Sequence, residues 1–202
     1  RLVSRGLGDV YKRQTVSMTG QHNTGATYAL SLSGSTSVTA GTGVTLESLN
    51  NNTGTIALLS SGGIDGGSGT VLMRAANYAF GGADRTITTT GVLTIEPDAD
   101  ENSFASSFDN QYLNPVSVTG LTLGKSSNAS AITLSRAISL SGPVSIYGGS
   151  IDVNANITAN SGNILLDADT GSTLNQSSTG ILLDDVITVS YTHLTLPTNS
   201  RV

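Results

Sequence analysis

Residues 131–166 read AITLSRAISLSGPVSIYGGSIDVNANITANSGNILL, and the spacing within this stretch decides the fold. Triplets with apolar first and third positions begin at Ile132, Ile138, Val144 and Ile151, and Ile157 and Ile164 continue the series. Most carry a small polar residue in the middle and are bounded by Gly, Ser or Asn. A period of two marks a short strand with one buried face. Steps of six or seven residues are too short for a hairpin sandwich, whose strands and turns repeat every ~8–12 residues. Positions three strands apart are more telling. Ile132 to Ile151 is 19 residues, Ile138 to Ile157 is 19, and Val144 to Ile164 is 20. Three short strands per turn of about 20 residues is the arithmetic of a triangular parallel β-helix, in which each turn stacks on the last and inward side chains form an apolar ladder. The stretch therefore predicts an all-β solenoid with Ile132, Ile138, Val144, Ile146, Ile151, Val153, Ile157 and Ile164 pointing inward.

The same pattern extends outward from this stretch. Val44-Thr-Leu46, Ile56-Ala-Leu58, Val116-Ser-Val118 and Leu121-Thr-Leu123 are further triplets, and no stretch shows sustained helical periodicity. Gly142-Pro143, Gly148-Gly149 and Gly162 fall between strands, where corners require permissive or fixed backbone angles. Asn154, Asn156 and Asn160 are candidates for corner positions. Pro97 to Pro115 (PDADENSFASSFDNQYLNP) lacks alternation and holds two of the three Phe. It reads as a loop or junction between an irregular solenoid block over 15–96 and a regular one over 116–188. Long connections of this kind are often functional.

The two ends read differently. Asp9-Val-Tyr-Lys-Arg-Gln14 can be encoded by GAT GTG TAT AAG AGA CAG. The reverse complement of that DNA, in a shifted frame, begins to encode Val189-Ser-Tyr-Thr-His-Leu194. One DNA element read in opposite directions accounts for both. Residues 1–14 and 189–202 resemble the translated mosaic end and adapter of transposase-based sequencing libraries, and are set aside from fold reasoning. Of nine Lys and Arg, five (Arg1, Arg5, Lys12, Arg13 and Arg201) lie in these ends, against only Asp9 of fourteen acids. The remainder has 4 basic and 13 acidic residues, a net charge of −9 instead of the formal −5 of the whole chain. That argues against nucleic-acid partners, which need a basic stripe to neutralise phosphates. It argues equally against docking on anionic membranes. There is no Cys, so disulfides and thiolate metal sites are excluded. No apolar run approaches the ~18 residues expected of a spanning helix.

The run from Ser135 to Ala159 (SRAISLSGPVSIYGGSIDVNANITA), followed by Gly162-Asn-Ile-Leu-Leu166, resembles the repeats of filamentous-haemagglutinin-like proteins. These are very large secreted adhesins of Gram-negative bacteria. The resemblance covers roughly 116–188 well and 15–96 weakly. It implies a right-handed parallel β-helix, export across the outer membrane to the cell surface or medium, and adhesion to cells or surfaces. Host-cell or surface glycans and proteins are the implied partners. The family's secretion domain has no counterpart here.

Candidate sites are few. Asp98, Asp100 and Asn102 have the 1-3-5 spacing of a calcium loop, with Asp109 at position 12. Oxygen ligands at alternate positions suit a hard cation, but Ser103 stands where the turn Gly belongs and Asp109 where a bidentate Glu belongs. A solvated acidic loop is the simpler expectation, and no other cofactor is expected. Gly120-Leu-Thr-Leu-Gly-Lys-Ser126 has one residue too few between its glycines for a phosphate loop and reads as a corner. Outside the adapter-like ends His22 is the only histidine, so a His-based triad or metal cluster would depend on it alone. Asp152, Asp167 and Asp169 are candidates for an acid cluster of a polysaccharide-cleaving β-helix, which requires paired carboxylates. The expectation is a structural or adhesive segment without catalytic residues, with a carbohydrate-binding or carbohydrate-cleaving β-helix as the alternative.

Overall fold

The computed structural model of the 202-residue chain describes residues 14–20, 28–33, 37–48, 54–58, 63–82, 84–168, 181–183 and 187–189. Among these are 21 strands, numbered along the chain, and no helix. They form three walls. The first wall is one seven-stranded sheet of β1 (Val16–Gly20), β4 (Val44–Ser48), β7 (Val71–Arg74), β10 (Val92–Glu96), β13 (Gly120–Leu123), β16 (Val144–Gly148) and β19 (Ile164–Ala168). The second wall holds β2 (Leu30–Leu32), β5 (Thr55–Leu58) and β8 (Asn77–Phe80), and, as a separate sheet, β11 (Phe108–Asp109), β14 (Ile132–Leu134), β17 (Ile151–Val153) and β20 (Ile181–Leu183). The third wall holds β3 (Val38–Thr39), β6 (Ile64–Asp65), β9 (Arg85–Thr88) and β12 (Leu113–Val116), then β15 (Ile138–Leu140), β18 (Ile157–Ala159) and β21 (Ile187–Val189).

Every pairing joins a strand to the one three positions further along, and every pairing is parallel. The chain is thus a β-solenoid. In the regular block the register is the one read from the spacing: Ile132 pairs Ile151, Ile138 pairs Ile157, and Val144 pairs Ile164. The turn averages about 23 residues instead of 20. The difference comes from longer turns in both blocks: in the second, Ile151 pairs Ile181 and Ile157 pairs Ile187, each 30 residues on. Val16 pairs Val44 and Leu93 pairs Leu121, each 28 residues on.

Alternation explains the core. On the first wall Val44, Val71, Leu93, Leu121, Val144 and Ile164 form one inward stripe, and Leu46, Met73, Ile95, Leu123, Ile146 and Leu166 a second. All twelve are buried. All eight residues predicted to point inward are at most 2% exposed. Burying each aliphatic side chain contributes about 1.5–3 kcal/mol, which lets a narrow interior cohere with few aromatics.

One triplet was misread. Val116-Ser-Val118 is not a strand, because β12 ends at Val116 and Ser117 turns the chain with φ of 58°. Residues 97–115 are not bare loop either, since they contain β11 and most of β12. Of the adapter-like ends, 1–13 and 190–202 lie outside the described residues. Gln14 accepts a hydrogen bond from Gly41 N through its carbonyl at 3.1 Å, and Val189 closes β21 opposite Ala159.

Candidate functional site

The turn built from β10, β11 and β12 departs from the regular pattern. On the first wall β10 is paired on both sides, to β7 and β13. On the second wall β11 pairs forward to β14, and the sheet is broken between β8 and β11. On the third wall β12 pairs back to β9, and the sheet is broken between β12 and β15. This turn is therefore lapped between the two blocks.

Aromatic side chains fill the break in the second wall. Tyr78 and Phe80 occupy the inward positions of β8, opposite Ile56 and Leu58. Tyr78 packs edge-on against Phe104 and Phe108, each at 5.8 Å, and Phe80 packs edge-on against Phe108 at 6.0 Å. Such arrangements match the ring quadrupoles. The Tyr78 hydroxyl donates to the Glu96 carbonyl at 2.8 Å. Burial, reinforced by the nearby Glu96 charge, pushes its pKa well above the ordinary tyrosine range. Between the rings and Ser106, Ser107 and Asp109 is a hollow of about 30 Å³. That is room for water, whereas small-molecule pockets run to ~300–1,000 Å³.

The charged groups around this turn are mostly paired. Arg74 on the first wall sits between Glu47 and Glu96, with its Nε donating to Glu96 at 2.5 Å. Arg136 grips Asp84 with both terminal nitrogens, Nη2 donating to Oδ2 at 2.8 Å. Arg85 is 2% exposed and donates through Nε to the Leu58 carbonyl at 2.7 Å.

The residues of the predicted calcium loop differ in burial and in partners. Asp98 is 2% exposed, and its Oδ2 has no partner among the described residues. Its main-chain carbonyl accepts from Lys125 Nζ at 3.1 Å. Asp100 and Asn102 are exposed. Asp109 is exposed on β11 and already engaged, with Oδ1 accepting from Gln111 N at 2.9 Å and Oδ2 from the Ser135 hydroxyl at 3.0 Å. Among the described residues no three His, Cys, Asp or Glu side chains are grouped so that they could hold a metal ion.

The other candidates are placed as follows. Gly120–Leu123 is β13, and Gly124 turns the corner with φ of 77°, where an added Cβ would stand 2.2 Å from the Tyr147 carbonyl. Asp152 lies on the second wall and Asp167 on the first, so these two carboxylates occupy different walls. Asp169 and His22 lie outside the described residues. Asn154, Asn156 and Asn160 are exposed at corners.

Sequence reasoning missed Tyr78, Phe80, Asp84 and Arg136. The alternation in Asn77-Tyr-Ala-Phe80 carries a signal for two inward aromatics. Nothing in the sequence pairs Asp84 with Arg136, 52 residues apart. Searches among protein families, curated proteins and solved structures found no match.

Proposed function

We propose that the chain is a non-catalytic wall segment of a large secreted or surface-exposed bacterial protein, mediating attachment to cells or surfaces. The observation that carries this reading is the first wall, seven strands in one unbroken parallel sheet. Its outward row runs Ser17, Thr45, Leu72, Thr94, Thr122, Ser145 and Leu165, mostly short uncharged side chains at strand spacing. Such a surface offers repeated weak contacts along a rigid rod, as adhesion requires, and repeat solenoids use extended surfaces in this way. The resemblance of 135–166 to filamentous-haemagglutinin-like repeats supports the same reading and points to export from a Gram-negative cell, with surface glycans or proteins as partners.

The test is retention of protein-coated beads on epithelial cells and on polysaccharide films under flow. Retention above that of beads carrying an unrelated acidic β-protein is the expected result. Equal retention would overturn the reading.

A second reading, a carbohydrate-active β-helix, draws on one observation. Asp109 and Asp152 share an outward row of the second wall with Thr133 between them. Two strand spacings separate them by about 9.5 Å. That is the upper end of the ~6.5–9.5 Å carboxylate separation of inverting glycosidases. Release of reducing ends from polysaccharide, abolished by Asp152→Asn, would favour this reading over the first.

A further inference from the structure

The lapped turn divides the solenoid into two bodies joined by unequal bonds. Across the first wall the joint is a full parallel ladder through β7, β10 and β13. Across the second wall no ladder joins β8 to β11. What bridges that break is the Ala105 N bond to the Ala76 carbonyl at 2.8 Å, the Ser106 hydroxyl on Asn77 Oδ1 at 2.7 Å, and the aromatic packing. By contrast, the segment leading to β11 is tied forward many times. Phe104 N donates to Asn128 Oδ1 at 3.2 Å, and its carbonyl accepts from the Ser130 hydroxyl at 2.5 Å. Asn110 donates through Nδ2 to the Arg136 carbonyl and accepts from Arg136 N, both at 2.9 Å. Residues 104–110 therefore belong mechanically to the second block, while β8 and Asp84 belong to the first.

Asp84 and Arg136 sit on opposite sides of this joint, and theirs is the ion pair that spans it among the described residues. The guanidinium engages both carboxylate oxygens, which adds directional specificity to the charge attraction. Parting two strands of a ladder requires many hydrogen bonds to break together. Parting β8 from β11 does not, and regions with few such bonds open before the rest.

We propose that the molecule is built to open at this joint: the second wall parts between β8 and β11, the continuous first wall serves as the hinge, and Asp84–Arg136 is the latch. Opening would uncover Phe104 and Phe108, buried in the closed form, and the covered faces of the half-buried Tyr78 and Phe80. In a chain pulled along its length, this joint yields first while the turns on either side stay intact.

Hydrogen exchange of the full chain, read by mass spectrometry, tests this. In Asp84→Asn and in Arg136→Gln, amides of residues 77–80 and 104–109 should exchange about two- to fivefold faster, the range expected for loss of a partly exposed pair. Amides of residues 144–166 should not change. The unmodified chain should show the same local acceleration in about 1 M salt, where the screening length falls to about 3 Å. The charge swap Asp84→Arg with Arg136→Asp should restore protection. Acceleration spread evenly over both blocks, or no response to salt, would overturn the proposal. So would a charge swap as unprotected as the single variants.

Discussion

Ile151 lies in parallel register between Ile132 on the preceding turn and Ile181 on the next, and is 1% exposed. The side chain is therefore stacked on that of Ile132, and its removal is felt on the preceding turn as well as its own. Ile151→Ala is expected to cost about 2–5 kcal/mol, the range for large-to-small core changes. Ile151→Asp would bury an unpaired carboxylate and cost more. Ser139→Asp, at an exposed position of β15, should stay within about 0.5 kcal/mol of the parent. Urea unfolding followed by circular dichroism separates the three.

The latch pair predicts an acid dependence. The hydrogen bond from Arg136, aided by its charge, holds Asp84 below the ordinary carboxylate value of 3.8. A carboxyl whose folded pKa is depressed stabilises the fold above its unfolded pKa and loses that contribution as pH falls through the folded value. Asp84→Asn should therefore lower the melting temperature at pH 7, and the difference from the parent should shrink below about pH 4. A difference that stays constant down to pH 2 would show that the variant acts by some route other than charge.

Tyr78 makes the opposite prediction at alkaline pH. Its folded pKa is raised by burial first and by the Glu96 charge second. A raised pKa contributes stability that is complete below the unfolded value near 10 and is lost as pH rises through the folded one. Absorbance titration at the tyrosinate band should show one tyrosine that ionises late, together with loss of the near-ultraviolet dichroism signal. Tyr78→Phe should remove that late step.

Two glycines separate close approach from mere flexibility. A Cβ on Gly142 would stand 1.8 Å from the Thr119 carbonyl of the neighbouring turn, where backbone must shift. Gly142→Ala should destabilise by about 1–3 kcal/mol, as overpacking does. A Cβ on Gly82 would meet nothing within 4 Å. Gly82→Ala should be neutral or stabilising by about 0.4–1 kcal/mol, because it restricts the unfolded chain. Thermal melts of the two variants should move in different directions or by clearly different amounts.

The spacing of Ile132, Ile138, Val144, Ile151, Ile157 and Ile164 was enough to determine the class of fold, the three-strand turn and the register of the regular block. In a solenoid each turn packs on its neighbours, so contacts are set by a period that the chain displays directly. Inward positions followed from alternation for the same reason. The lapped turn was not legible. Val116-Ser-Val118 alternates like a strand, yet β12 ends at Val116 and Ser117 turns at φ of 58° toward β13 on the first wall. Phe104 and Phe108 appeared to sit in a loop because no period governs 97–115, and only the break between β8 and β11 brings them against Tyr78. The surroundings of Asp98 and Asp109 were also not legible in the 1-3-5 spacing of Asp98, Asp100 and Asn102. Tertiary structure buries Asp98 and carries Asp109 onto a strand, where Gln111 and Ser135 engage it. The joint of Asp84 with Arg136 likewise depends on two corners brought together across an intervening turn. Periodicity specifies what lies directly above and below a residue, and it says nothing of contacts made where the period is interrupted.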